Sequence, residues 1–75
     1  MTRLLKEAQL RELPFLAGVD EYDDTIFNRR QTHTVALELV ELREMTEIRN
    51  QVEDIEAAIG IVQQRPHRYL VFNGD

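Results

Sequence analysis

The sequence predicts a mainly α-helical single domain: a short N-terminal helix, an extended connector, one long helix with a coiled-coil-like C-terminal half, and a short extended or β C-terminal tail. Three observations carry this prediction. Apolar residues recur at helical spacing near the N-terminus and again over residues 29–64, Pro14 and Pro66 punctuate those two stretches, and Arg68-Tyr69-Leu70-Val71-Phe72 is dense in strand-forming side chains. The boundaries that follow are 1–13 for the short helix, 14–28 for the connector, 29–64 for the long helix and 65–75 for the tail.

In the first segment, Leu4, Leu5, Ala8 and Leu13 fall on one side of a helix, with Thr2 in position to cap it and Glu7 and Arg11 at i,i+4. Pro14 disfavours helical geometry at Leu13, so the helix is expected to stop there and the chain to run on extended through Phe15, Leu16, Ala17 and Gly18. Residues 19–27 turn acidic, and Asp23-Asp24 brings turn chemistry without a helical period. Ile26 and Phe27 read either as a short strand or, preferably, as anchors that pack the connector onto the next helix. Asn28 followed by Gln31 has the form of a capping box, with Thr32 and Thr34 as competing helix starts. From there to Gln64 the pattern is interrupted only by Gly60, a residue that costs about 1 kcal/mol relative to alanine inside a helix.

Within the long segment, Met45, Ile48, Val52, Ile55, Ile59 and Val62 are spaced 3, 4, 3, 4, 3, the a/d repeat of a coiled-coil seam. With Met45 at position a, Glu44 falls at g and Arg49 at e, the pairing that bridges two parallel helices. Ile48, Ile55 and Val62 at d are β-branched, which leans toward three or more helices rather than two. Earlier in the segment Val35, Ala36, Leu37, Leu39, Val40 and Leu42 form a broader stripe that suits packing against the first helix and the connector anchors. A helix of about 34 residues is about 51 Å long, whereas one of about 12 residues reaches about 18 Å. The seam is therefore expected to need a second chain, the alternative being an intramolecular helical hairpin completed by the connector and tail.

Size and composition point the same way. A chain of 75 residues supports a small core, and without cysteine it has neither disulfides nor thiolate metal sites, which leaves oligomerisation as the remaining staple. The net charge of −5 disfavours direct binding to a phosphate backbone, and no basic stripe offsets it. No apolar run is long enough for a membrane span or a secretory signal, so a cytoplasmic location, or incorporation in a soluble assembly, is expected.

No constellation of reactive residues suggests catalysis, a cofactor or a metal. His33 and His67 lack ligand spacing, and Asp20, Glu21, Asp23 and Asp24 lack the glycine and downstream glutamate of a calcium loop. Glu38, Glu41 and Glu44 recur on neighbouring turns without a pocket in prospect, serine is absent, and no glycine-rich phosphate loop occurs. Arg65, His67 and Arg68 are most simply a favourable helix C-terminus.

The tail offers Tyr69, Leu70, Val71 and Phe72 for docking, either folded back within the chain or added as a strand to a neighbouring subunit, with Asn73-Gly74-Asp75 as a solvated end. The expected function is accordingly non-enzymatic: a structural subunit of a larger assembly, such as a virion or tail component, associating with itself as a trimer or higher, or with a larger protein, through the long-helix seam. The competing expectation is a small acidic regulator or inhibitor that binds a larger host protein by its charge.

Overall fold

The computed structural model describes residues 1–74; Asp75, with its share of the expected solvated end, lies outside the described residues. Four α-helices and a two-stranded antiparallel sheet fold around one apolar core: α1 (Thr2–Leu10), α2 (Pro14–Ala17), β1 (Thr25–Phe27), α3 (Arg29–Val40), α4 (Arg49–Gln64) and β2 (Leu70–Phe72).

Helix α1 buries Leu4, Leu5 and Ala8, the face that its spacing predicts, and the Arg11 guanidinium closes on Glu7 one turn back. Thr2 is its first residue and not its cap; Met1 holds that position without a side-chain hydrogen bond. At the other end the Leu13 amide donates to the Ala8 carbonyl and the Glu12 amide to Gln9, a Schellman pattern that places Glu12 in the left-handed region at φ 57°. Glycine usually holds this position, because a Cβ there crowds the backbone.

The connector is not extended throughout. Pro14 opens a single turn of helix, its ring fixing the φ that a first helical residue needs, while Leu13 before it is extended at φ −90° and ψ 98°. The amide groups that a short helix leaves unpaired are met from far along the chain: Glu38 on α3 accepts hydrogen bonds from Phe15 at 3.0 Å and Leu16 at 2.8 Å. Nothing local to 14–18 announces this cap.

Ile26 and Phe27 belong to a true strand. β1 pairs with β2 in the register Thr25↔Phe72, Ile26↔Val71, Phe27↔Leu70, which buries Phe27, Leu70 and Phe72 and leaves Ile26 and Val71 outside. Phe27 stacks on Phe15 at 5.7 Å and meets Phe72 edge-on at 5.9 Å, so three aromatic rings tie the connector and tail to the core. Gly74 continues the register to Asp23: its amide donates to the Asp24 carboxylate, and a Cβ on it would overlap the Asp23 backbone. This end of the tail is therefore packed rather than merely solvated.

The expected capping box is present, with Asn28 accepting from the Gln31 amide and the Gln31 side chain accepting from the Asn28 amide. The helix predicted over 29–64, however, is two helices. Residues 41–45 form tight turns, Met45 takes an extended conformation at φ −84° and ψ 104°, and a 3-10 turn at Thr46–Ile48 leads into α4. Helix α4 folds back antiparallel on α3, as the Gln63–His33 hydrogen bond at one end and the Arg43–Glu56 ion pair at the other require. No glycine or proline marks the break. It exists because doubling back lets Val35, Leu39 and Leu42 share one core with Ile48, Val52 and Ile55, and the apolar area removed from water outweighs the few helical hydrogen bonds lost at the corner.

Candidate functional site

The six seam positions lie on the core-facing side of the second half of the helical hairpin. Ile48 and Val52 are 1% exposed, Ile59 and Val62 4% and Ile55 7%, while Met45 is half-buried at the corner. The chain covers the stripe itself. It does so as the intramolecular hairpin of the alternative expectation: α3, turned back beside α4, and β2 of the tail supply the cover. The seam is thus not a free surface in the closed chain, and a coiled-coil interface there would require the hairpin to open.

The Glu44–Arg49 pair expected between helices of different chains does not form within this one. Glu44 instead binds Arg11 at 3.1 Å, and Arg11 also donates to Glu7 at 3.0 Å and to the Glu41 carbonyl. Hydrogen bonding to Glu7 first and Glu44 second raises the Arg11 pKa above its ordinary value. Arg11 thereby ties the C-terminal end of α1 to the corner after α3.

The docking residues of the tail divide by face. Leu70 and Phe72 dock within the chain against the core, while Tyr69 at 58% and Val71 at 44% stay exposed. Val71 lies opposite Ile26, which is 60% exposed, so the outer face of the sheet is apolar. His33 bonds Gln63 at the surface, and among the described residues no three histidine, aspartate or glutamate side chains converge to hold a metal ion. Glu38 is the one member of the 38/41/44 row that is buried, and its oxygens are occupied by the α2 amides.

The feature that sequence reasoning missed is a groove of about 410 Å³ beside β2. Its floor is apolar, made by Leu5 of α1, Val19, and Ile55 and Ala58 of α4. Leu70, Val71 and Phe72 of β2 and Asn73 also line it, and no residue of β1 does. Since the sheet has two strands among the described residues, β2 is paired on one edge only. The exposed residues Asp20, Glu21 and Asp54 line the same groove and put carboxylates at its rim, and the exposed Tyr22 lines it too.

The acidic loop is held in shape by its own side chains. Asp20 accepts from the Tyr22 amide at 2.8 Å, and the Thr25 hydroxyl accepts from the Asp20 amide at 3.0 Å. The sequence signals were there separately, as the acidic run of 20–24 and the tail strand. Their meeting depends on the β1–β2 pairing across 45 residues of chain, which no local pattern encodes. No helix among the described residues is long and apolar enough to cross a membrane. Comparison with models of known protein families, with curated proteins and with solved structures found no match to this chain.

Proposed function

We propose that this chain is a non-enzymatic interaction protein that receives an extended, basic segment of a larger protein in the groove beside β2, as a small acidic regulator or inhibitor would. The observation that carries this reading is a groove lined by Leu70, Val71 and Phe72 of β2, a strand paired on one edge only, together with apolar side chains and the carboxylates of Asp20, Glu21 and Asp54. A strand edge presents backbone donors and acceptors to an extended peptide, and alternate side chains then point down to the floor or up to the rim. Apolar side chains suit Leu5, Val19 and Ala58 below, and lysine or arginine suits the carboxylates above. The net charge of −5 favours encounter with a basic partner over long range. The apolar outer face at Ile26, Val71 and Tyr69 extends the surface that such a partner would cover.

The alternative role of structural subunit in an assembly, joined through the 45–62 seam, is less well supported, because those side chains are already occupied inside the closed chain.

The test is a titration of the isotopically labelled protein with a synthetic peptide of alternating lysine and leucine, followed by amide shifts. Shifts concentrated at Val19 to Tyr22 and Leu70 to Asn73, reduced several-fold by Asp54→Asn and by raised salt, are expected. Shifts spread evenly over the acidic surface of the helices, or none at all, would defeat the reading.

A further inference from the structure

We infer that the chain exchanges α4 and β2 with a second copy of itself by straightening at Met45, giving a two-fold dimer in which α3 and α4 run on as one helix. The first ground is local. The segment 41–48 reads Glu-Leu-Arg-Glu-Met-Thr-Glu-Ile, with no glycine and no proline, and every residue in it is compatible with a helix. Outside glycine, the described residues with positive φ are Glu12 and His67, so the corner holds no left-handed residue that would keep it bent.

The path through the corner is already close to helical. Glu41 has φ −70° and ψ −17°, and the amides of Glu41, Leu42, Arg43 and Met45 each bond a carbonyl three residues back. Met45 departs from the helix: its φ of −84° is near the helical value and its ψ of 104° is not, so straightening there requires a rotation of about 150° in that angle. Ile48, at φ −118° and ψ 8°, then needs a smaller adjustment to join Arg49, which is helical at φ −56° and ψ −43°.

Opening alone would strip Val52, Ile55, Ile59 and Val62 of their cover, so the straight form requires a partner with a matching surface. A second copy supplies that surface, since the faces of α1, α3 and β1 that receive α4 and β2 are the same in every copy. The core contacts are then remade between chains, and the corner gains the helical hydrogen bonds that the bend interrupts.

The second ground is the complementarity of the segment with itself. Two such helices crossing antiparallel about Met45 set Arg43 opposite Glu47, Glu41 opposite Arg49 and Leu42 opposite Ile48, with Met45 on the axis. Each opposite-charge pair occurs twice by symmetry, which is the self-complementary patch that a two-fold interface needs. The 3, 4, 3, 4, 3 spacing of 45–62 starts at this crossing, and on the other side Val35, Leu39 and Leu42 lead up to Met45 in steps of 4, 3 and 3.

The experiment refolds the full chain from denaturant at millimolar concentration and measures mass by light scattering, for the wild type, Thr46→Pro and Thr46→Ala. Thr46 opens the 3-10 turn directly after an extended residue, so proline fits the bent form there and blocks the straight one. The expected result is a wild-type dimer that persists on dilution, lost in Thr46→Pro and raised several-fold in Thr46→Ala. In a dimer refolded from two differently labelled batches, contacts between α3 and α4 should run between copies. Monomers throughout, Thr46→Ala included, would overturn the inference. So would a dimer that survives undiminished in folded Thr46→Pro, or one whose α3–α4 contacts stay within each copy. If Thr46→Pro fails to fold, Thr46→Ala and the mixed-label contacts decide the question.

Discussion

Glu38 on α3 accepts a hydrogen bond from the backbone amide of Leu16, 22 residues earlier, and so serves as the N-cap that α2 does not carry in its own sequence. The carboxylate is 6% exposed and its two oxygens divide the amides of Phe15 and Leu16 between them. Replacing it by alanine leaves two amides without acceptors, that of Leu16 buried and that of Phe15 partly so. We expect Glu38→Ala to cost about 2–4 kcal/mol, and Glu38→Gln, which turns an amide nitrogen toward one of those donors, about 1.5–3 kcal/mol. Urea unfolding read by circular dichroism measures both, and a loss under about 0.5 kcal/mol for either would show that the cap is unimportant.

Glycine and its usual helix positions are mismatched at two points, and both predict gains. Gly60 lies inside α4, and apart from the adjoining backbone of its own helix no atom comes within 4 Å of where a Cβ would stand, so Gly60→Ala should stabilise by about 0.5–1 kcal/mol. Glu12 holds the left-handed position after α1, where Glu12→Gly relieves backbone crowding and should stabilise by about 0.5–1 kcal/mol despite the looser unfolded chain. Thermal unfolding of the single and double variants checks the values and their additivity, since the two sites share no element.

Gly74 shows the opposite case. A Cβ added there would overlap the Asp23 backbone, which has no flexible end to give way. Gly74→Ala should push the end of the tail off the acidic loop, break its bond to Asp24, and cost about 1–3 kcal/mol. Hydrogen exchange at Ile26 and Val71 is the sensitive measurement, and unchanged protection there would mean that the sheet does not depend on this contact.

Ile55→Asp separates the two readings of the stripe at 45–62. At an interface between otherwise complete subunits, the variant would yield a helical monomer of near-normal stability. In the core of the closed chain, where Ile55 is 7% exposed, it puts a charge among apolar side chains and should cost on the order of 4 kcal/mol, enough to unfold most of a domain this small. Far-ultraviolet circular dichroism with light scattering distinguishes the outcomes, and a fully helical variant would place Ile55 outside the core.

The parts of the fold legible in the sequence are those whose cause lies within a few residues. The apolar face of α1 comes from Leu4, Leu5 and Ala8 at helical spacing, and the start of α3 comes from the reciprocal bonds of Asn28 and Gln31. The stop near Pro66 and the strand character of 70–72 are local in the same sense. The groove was legible only in fragments, because its acidic rim and its strand wall are joined by a pairing of remote segments.

By itself, then, the sequence determined which residues are apolar, on which side of each helix they fall, and that helix would dominate. The tertiary structure alone decided that Met45 bends, that Glu38 caps α2, and that 25–27 becomes a strand because 70–72 arrives beside it. The physical reason is common to all three. An a/d spacing specifies a face to be covered without naming its cover, and burial is nondirectional, so a chain that can double back satisfies the same pattern as a second chain would.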